Sequence, residues 1–146
     1  MVLVKKHFFY FILVFFFTSC SKKNVSFSYH VNSVKRTCKF SFDKEFTLKK
    51  MIDDHGLREW LIEFPTQGKI FITNDEINGS EINDLKVKKF GRNVSLKFIQ
   101  DSLTLEGLDS SGFWKEIKQG GLVYGYMNVK ENDKAYFEKS IVPNCK

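Results

Sequence analysis

The sequence predicts an α+β fold: an antiparallel β-meander of about six or seven strands with two short helices. Between residues 34 and 146, most apolar residues alternate with polar ones, which is typical of half-buried strands. Gly, Asn, Asp and Pro separate these runs at short intervals, which favours hairpins and therefore antiparallel neighbours. Helical spacing occurs twice, after the first strand and near the C-terminus, so two helices are expected to cover one face of the sheet.

The N-terminal half of this domain is predicted to contain three strands and the first helix. The first strand covers residues 38–42, where Cys, Phe and Phe alternate with polar residues. The next residues recur with helical spacing: Leu48, Met51, Ile52 and His55. Gly56 suits the position that follows a helix. Two further strands are expected at 60–64 and 70–72, joined by a turn at 65–68.

The C-terminal half begins with an acidic loop and ends with the second helix. Three short strands are predicted at 86–90, 94–100 and 103–108, followed by a hairpin with strands at 113–118 and 122–129. The residues that recur with helical spacing beyond the hairpin are Tyr136, Phe137, Ser140 and Ile141. Pro143 follows them, which is typical of the region after a helix.

An export segment precedes the domain. Residues 1–7 are basic, and residues 8–17 form an unbroken apolar run. A membrane-spanning helix needs about 20 apolar residues, so this run fits a signal peptide that is removed. Residues 1–19 are therefore predicted to be a cleaved signal, residues 20–33 a tether with at most a short strand, and residues 34–146 a single globular domain.

The end of the apolar run has the sequence Phe17-Thr18-Ser19-Cys20. It resembles the lipobox of bacterial lipoprotein precursors, in which a small residue precedes the modified cysteine; Phe17 departs from the usual leucine. The resemblance implies cleavage before Cys20, a diacylglyceryl thioether on its sulfur and an acyl chain such as palmitate on the new amino terminus. Several acyl chains anchor a protein stably. The implied location is the cell envelope, and Ser21 favours the outer membrane over the inner one.

Two further cysteines remain in the mature chain. Exported proteins enter an oxidising compartment, so Cys38 and Cys145 are predicted to form a disulfide. The alternative is one buried thiol and one exposed thiol near the C-terminus. No CxxC pair accompanies them in the sequence, which argues against a catalytic cysteine.

The formal charge of the chain is +6, but only three of its 23 basic residues are arginine. Nucleic-acid readers usually use arginine for bidentate contacts, so no nucleic-acid partner is predicted. The densest basic stretch consists of Lys86, Lys88, Lys89, Arg92 and Lys97. This stretch could meet an anionic partner, and the alternative is a solvated face or a lysine-guarded edge strand.

Two groups of residues allow both a functional and a structural interpretation. The aromatic residues Phe113, Trp114, Tyr124 and Tyr126 could form a sugar-binding platform or the core of the hairpin. The sequence Asp101-Ser102-Leu103 resembles the acceptor sequence for O-linked glycans in some bacteria, which makes Ser102 a possible glycosylation site.

No catalytic, metal or cofactor motif is recognised in the sequence. Residues 74–85 begin like an EF-hand loop, but Leu85 stands where a bidentate glutamate is required, so an acidic solvated turn is expected. No metal and no cofactor are therefore predicted. The leading hypothesis is an envelope lipoprotein that binds a protein or glycan partner, as an accessory subunit, inhibitor or immunity-type protein. The alternative is a small hydrolase or carbohydrate-active enzyme that uses dispersed carboxylates: Glu59, Glu63, Glu106 and Glu116.

Overall fold

The computed structural model describes residues 22–52, 56–80, 94–99 and 101–146. These ranges contain ten strands and one helix. In chain order they are β1 (Lys23–Val31), β2 (Val34–Phe42), β3 (Thr47–Ile52), β4 (Arg58–Glu63), β5 (Lys69–Thr73), β6 (Val94–Ile99), β7 (Ser102–Asp109), β8 (Gly112–Gln119), β9 (Leu122–Val129), α1 (Glu131–Ser140) and β10 (Asn144–Cys145).

The strands form two antiparallel sheets that pack face to face. The small sheet has the order β1-β2-β10, and the large sheet has the order β3-β4-β5-β9-β8-β7-β6. Alternate side chains of β1 and β2 point at the large sheet, because successive residues of a strand face opposite sides. Phe27 thereby meets Trp60 with ring centroids 5.1 Å apart, and Phe40 meets Tyr124 at 5.8 Å. The main core therefore lies between the two sheets.

One end of this sandwich is closed by aromatic rings. The participating residues are Phe42, Phe46, Phe64, Tyr136 and Phe137. Neighbouring ring centroids lie 5.1 to 6.1 Å apart in edge-on or tilted arrangements, the geometry that aromatic pairs favour. Helix α1 crosses this end and places Phe137 over Gly68, so close that a Cβ at Gly68 would lie 2.4 Å from the ring. We call this the closed end.

The opposite face of the large sheet carries a second, smaller cluster. Its buried apolar members are Leu61, Phe71, Trp114, Val123 and Met127. Glu59 and Glu116 lie on the same face and are also buried, as is the loop residue Ser80. Both faces of the central strands are therefore buried. One face packs against the small sheet, and the other carries the second cluster together with buried polar and acidic side chains.

The predicted antiparallel strands and the C-terminal helix are confirmed, but the helix predicted after the first strand is wrong. Residues 47–52 form β3, which pairs with β4 from Thr47↔Glu63 to Ile52↔Arg58. Every side chain of β3 is exposed, so its residues are held by main-chain bonds to β4 rather than by a buried face. Helical spacing of apolar residues carries no information about such an edge strand. His55 lies outside the described residues.

The predicted tether also differs from the structure. Residues 23–31 form a full strand, β1, that pairs with β2 along its whole length. Its alternate residues Val25, Phe27 and Tyr29 are buried in the main core. The globular fold therefore includes residues 23–31, because burying these three side chains outweighs the polar character of the residues between them.

Some of the remaining strand predictions lie within the described ranges, and one lies outside them. Strands β4 to β7 correspond, in order, to the predictions at 60–64, 70–72, 94–100 and 103–108. Strands β8 and β9 form the predicted hairpin. The strand predicted at 86–90 and the signal at 1–19 lie outside the described residues. Within the described ranges, no helix has both the length and the apolar character needed to cross a membrane.

The predicted disulfide is present. Cys38 and Cys145 face each other across the β2–β10 pair, with their sulfur atoms 2.00 Å apart. Two backbone hydrogen bonds of 3.0 Å between Thr37 and Lys146 extend the same pairing. The C-terminal residues are therefore fixed against the small sheet.

Candidate functional site

The end of the sandwich opposite the aromatic cluster contains a pocket of about 470 Å³. It lies between the end of the β1–β2 pair, the β8–β9 turn and the chain that follows α1. Its volume is in the range of small-molecule sites. We call this region the open end.

Strand register explains why the pocket has a cation at its mouth. The inward-facing row of β2 runs from Phe42 through Phe40 and Cys38 to Arg36, since alternate residues share a face. Arg36 pairs across the strands with Tyr29, the last fully buried residue of the matching row on β1. The row of core side chains therefore ends in an exposed guanidinium instead of another aromatic ring.

The tyrosine hydroxyl groups of the pocket are hydrogen-bonded to other groups of the protein. The Tyr29 hydroxyl donates to the Gly120 carbonyl at 3.1 Å, and the Tyr124 hydroxyl donates to Gln119 Oε1 at 3.2 Å. Burial raises the pKa of Tyr29 and the pKa of Tyr124, while the nearby Arg36 charge partly offsets this for Tyr29. Both hydroxyls therefore remain protonated at neutral pH and act as fixed polar parts of the wall.

Glu138 is the acidic group of the wall, and its charge is compensated. Lys115 Nζ donates to both of its carboxylate oxygens, at 2.9 and 2.7 Å, and the Tyr126 hydroxyl donates at 2.7 Å. Burial and this hydrogen bond raise the pKa of Tyr126 far above its ordinary value. Glu138 therefore binds helix α1 to β8 and β9.

The C-terminal segment supplies the outer wall of the pocket. Val142 and Pro143 line it together with Cys145. The disulfide and the main-chain bonds of β10 hold these residues against β2. The pocket consequently depends on a wall that a single covalent bond fixes in place.

A loop at the open end, residues 74–80, was expected to be an acidic solvated turn, and Asp75 departs from that expectation. Its side chain accepts hydrogen bonds from the Ile77 and Asn78 amides at 3.1 and 2.9 Å. The residue is only 6 % exposed. Burial alone raises the pKa of Asp75, but the bonds from Asn78 and Ile77 outweigh it and leave the pKa below its usual range. Asp75 is therefore a structural residue that orders its own loop.

The dispersed carboxylates of the enzyme hypothesis are held by internal contacts. Ser80 bridges two of them: its hydroxyl donates to Glu59 Oε1, and its amide donates to Glu116 Oε2 at 3.3 Å. Glu59 is 7 % exposed and Glu116 is fully buried. Glu63 pairs with two lysines, and Glu106 pairs with Lys97 and Lys115. The structure therefore brings Glu59 and Glu116 together beneath the surface, but it leaves Glu63 and Glu106 elsewhere.

The predicted patch for an anionic partner is only partly described. Lys97 lies on β6, and its ammonium group is bonded to Glu106. The other four members, Lys86, Lys88, Lys89 and Arg92, lie outside the described residues, as does Cys20. Ser102 begins β7 after the turn residue Asp101 and is half-buried, opposite Gln119 of β8.

The aromatic residues of the hairpin pack in the core rather than forming a surface platform. Trp114, Tyr124 and Tyr126 are 2, 4 and 1 % exposed, and Phe113 packs against the main core. Among the residues that the structure describes, no group of three or more His, Cys, Asp or Glu could hold a metal ion.

Sequence reasoning missed the pocket because its residues come from distant strands. A local signal does exist, since the alternating row of β2 changes from aromatic residues to Arg36. A charged residue in line with a buried row indicates where the core ends. The sequence alone could not place Gln119 or Val142 opposite it.

Comparisons with protein-family models, with curated proteins and with solved structures give no match to this chain.

Proposed function

We propose that this chain is a membrane-anchored binding module of the cell envelope that acts by contact and not by catalysis. The observation that supports the proposal best is the 470 Å³ pocket at the open end of the sandwich. A preformed concave site with an apolar wall and a few fixed polar groups is the usual form of a ligand site. The pocket would bind a small molecule, and the protein or glycan partner predicted from the sequence would be recognised through the basic stretch at 86–97.

Anchoring through Cys20 is part of the proposal and has its own test. Cys20→Ser should release the protein from the membrane fraction, because the lipids that hold it would have no sulfur to attach to. The measurement is fractionation of cells together with the intact mass of the purified protein. A mutant that stays in the membrane fraction, combined with a wild-type mass that lacks acyl chains, would show that the chain is not a lipoprotein.

The internal contacts of the dispersed carboxylates favour binding over hydrolysis. A glycosidase-type mechanism needs two carboxyl groups that face a substrate cleft. Glu59 and Glu116 are buried around Ser80, while Glu63 and Glu106 are engaged in ion pairs. Turnover of a peptidoglycan, glycan or ester substrate that is abolished by Glu59→Gln or Glu116→Gln would refute the proposal.

The pocket itself can be tested by obstruction. Val142 is 70 % exposed and lines the pocket, so Val142→Trp should fill its mouth without disturbing the core. Val34→Trp is a matched control, because Val34 is 60 % exposed and is not among the pocket residues. Protein purified gently from its own membranes would be examined by native mass spectrometry.

We expect a bound small molecule on the wild type and on Val34→Trp, and none on Val142→Trp. If the wild type carries no ligand, or if the two variants retain it equally, the pocket is not the binding site and this form of the proposal is wrong.

A further inference from the structure

Among the described residues that line the pocket, Arg36 is the cation. No carboxylate of the described residues forms an ion pair with Arg36, whose side chain lies at the mouth of the pocket. Glu138, on the same wall, is already compensated by Lys115 and Tyr126. Within the described lining, a ligand that enters the pocket therefore meets one net positive group, the Arg36 guanidinium.

The rest of the lining is mainly apolar. Its apolar side chains are Ile117, Leu122, Ile141, Val142 and Pro143. The hydroxyl groups of Tyr29 and Tyr124 donate hydrogen bonds to internal acceptors, so they offer a ligand no free donor. Discrimination between ligands therefore depends on Arg36 for charge and on the apolar wall for shape.

The guanidinium group also selects the type of anion. Its parallel N–H donors match the two oxygens of a carboxylate, and such charge-assisted pairs are stronger than neutral hydrogen bonds. Among the described residues that line the pocket, Arg36 supplies one positive charge, so a second negative charge on a ligand would find no counter-ion there. A single carboxylate thus fits better than a phosphate ester with two charges.

We infer that the open-end pocket binds a small amphiphilic carboxylate from solution, with its carboxylate on Arg36 and its apolar chain or ring on the accessible wall formed by Ile117, Val142 and Pro143. This inference rests on the proposed function, because it specifies the ligand of the same pocket. Partial burial of the apolar body supplies the affinity, and the ion pair supplies the preference for an acid.

The test uses three probes with the same chain and different head groups: octanoate, octan-1-ol and octylamine. Binding to the purified mature domain would be measured by isothermal titration calorimetry, with NMR shifts locating the site. We expect octanoate to bind about tenfold more tightly than octanol, which is the effect of one charge-assisted hydrogen-bonded pair at a partly exposed site. Octylamine should bind least tightly.

Three variants assign the preference to the guanidinium. Arg36→Gln should remove the octanoate preference and leave octanol binding unchanged, whereas Arg36→Lys should keep part of it. Lys35→Gln is the matched control: Lys35 neighbours Arg36 but lies on the outward face of β2, so the same loss of charge should leave the preference intact. Because Arg36 is exposed, the variants are expected to unfold at the wild-type temperature.

The outcomes separate this inference from the proposed function. Equal binding of octanoate and octanol by the wild type, or an undiminished preference in Arg36→Gln, would overturn the carboxylate assignment while the pocket remained a binding site. Failure of all three probes would also overturn it; in that case a native ligand lost only in Val142→Trp would still support a binding module of another specificity.

Discussion

The two ends of the sandwich are built on the same strands but end differently. At the closed end the inward row of β2 finishes in Phe42, whose ring meets Phe46 and Phe64. Towards the open end the same row continues into the exposed residues Arg36 and Val34, and a pocket replaces the aromatic rings. The comparison shows that one strand can supply aromatic core residues at one end and a charged pocket residue at the other.

This difference separates stability from function along one axis of the molecule. Substitutions at the closed end should destabilise the fold, because they remove buried contacts that nothing else replaces. Substitutions of the exposed side chains at the open end, such as Arg36 and Val142, should change binding more than stability, because these side chains contribute little to the core.

The largest effect is expected from Phe64→Ala at the closed end. The Phe64 ring contacts Phe42, Phe46, Tyr136 and Phe137, and the residue is 5 % exposed. Its removal should lower the free energy of unfolding by about 3–5 kcal/mol, measured by urea denaturation. Phe98→Ala is the matched control, since Phe98 is 75 % exposed and its loss should change stability by at most about 0.5 kcal/mol. Similar losses in both variants would contradict the role of the closed end.

A smaller loss is expected when the disulfide at the open end is removed. The Cys38→Ala, Cys145→Ala double variant should be less stable by about 2–4 kcal/mol, because the bond closes a long loop, with a sequence separation of 107 residues. It should also bind octanoate more weakly, since the C-terminal wall is no longer fixed. Reduction should lower the stability of the wild type by a similar amount and leave the stability of the double variant unchanged. A double variant as stable as the oxidised wild type would rule out the contribution of the disulfide to stability.

A third pair of substitutions compares backbone space at the two ends. Gly68→Ala would place a Cβ 2.4 Å from Phe137 Cζ, so it should cost about 1–3 kcal/mol of unfolding free energy by overpacking. Phe137→Leu, which removes that ring atom, should relieve part of this cost in the double variant. At Gly120 the nearest atom to an added Cβ is Arg36 Nη1 at 3.7 Å, so Gly120→Ala should show only the strain of its positive φ, without coupling to residue 137. Additive effects of Gly68→Ala and Phe137→Leu would exclude the clash.

The smallest effects concern two carboxylates near opposite ends. The pKa of Asp75 is lowered by hydrogen bonds and that of Glu63 by Lys49 and Lys69, so each stabilises the fold above its unfolded pKa. This stabilisation is lost as the pH falls through the lowered folded values, below about pH 4. Asp75→Asn should cost about 1 kcal/mol at pH 7 and flatten the acid side of the stability curve. Glu63→Gln should cost less.

Salt distinguishes these two carboxylates. Molar salt should remove most of the effect of Glu63→Gln, since ion pairs at the surface are screened, but little of the effect of Asp75→Asn. Chemical unfolding from pH 2 to 7, with and without 1 M NaCl, provides the measurement; equal salt sensitivity of the two variants would contradict the assignment of Asp75 to hydrogen bonding.

The parts of the fold that sequence predicts are those in which each residue's own burial decides the structure. Alternation predicts β4 and β8, whereas β5 and β9, which are buried on both faces, are predicted by their apolar runs between turns. Apolar alternation gave no strand prediction at β3, which is an edge strand without a buried face. Alternation is present at Val25, Phe27 and Tyr29, but the polar residues around them favoured a tether. The disulfide was predictable from export and cysteine number, whereas the pocket required the register Tyr29↔Arg36 and the distant residue Val142.

If Cys20 carries the proposed lipid, the position of β1 determines how far the domain extends from the membrane. Because β1 begins at Lys23, a lipid on Cys20 leaves almost no slack between the bilayer and the domain. Lys23 pairs with Phe42 at the closed end, so that end would stand nearest to the lipid. Nine residues of extended strand then carry the chain roughly 25–30 Å to the open end. The domain would therefore lie close to the membrane with its closed end facing the lipid, and Arg36 would face the aqueous space.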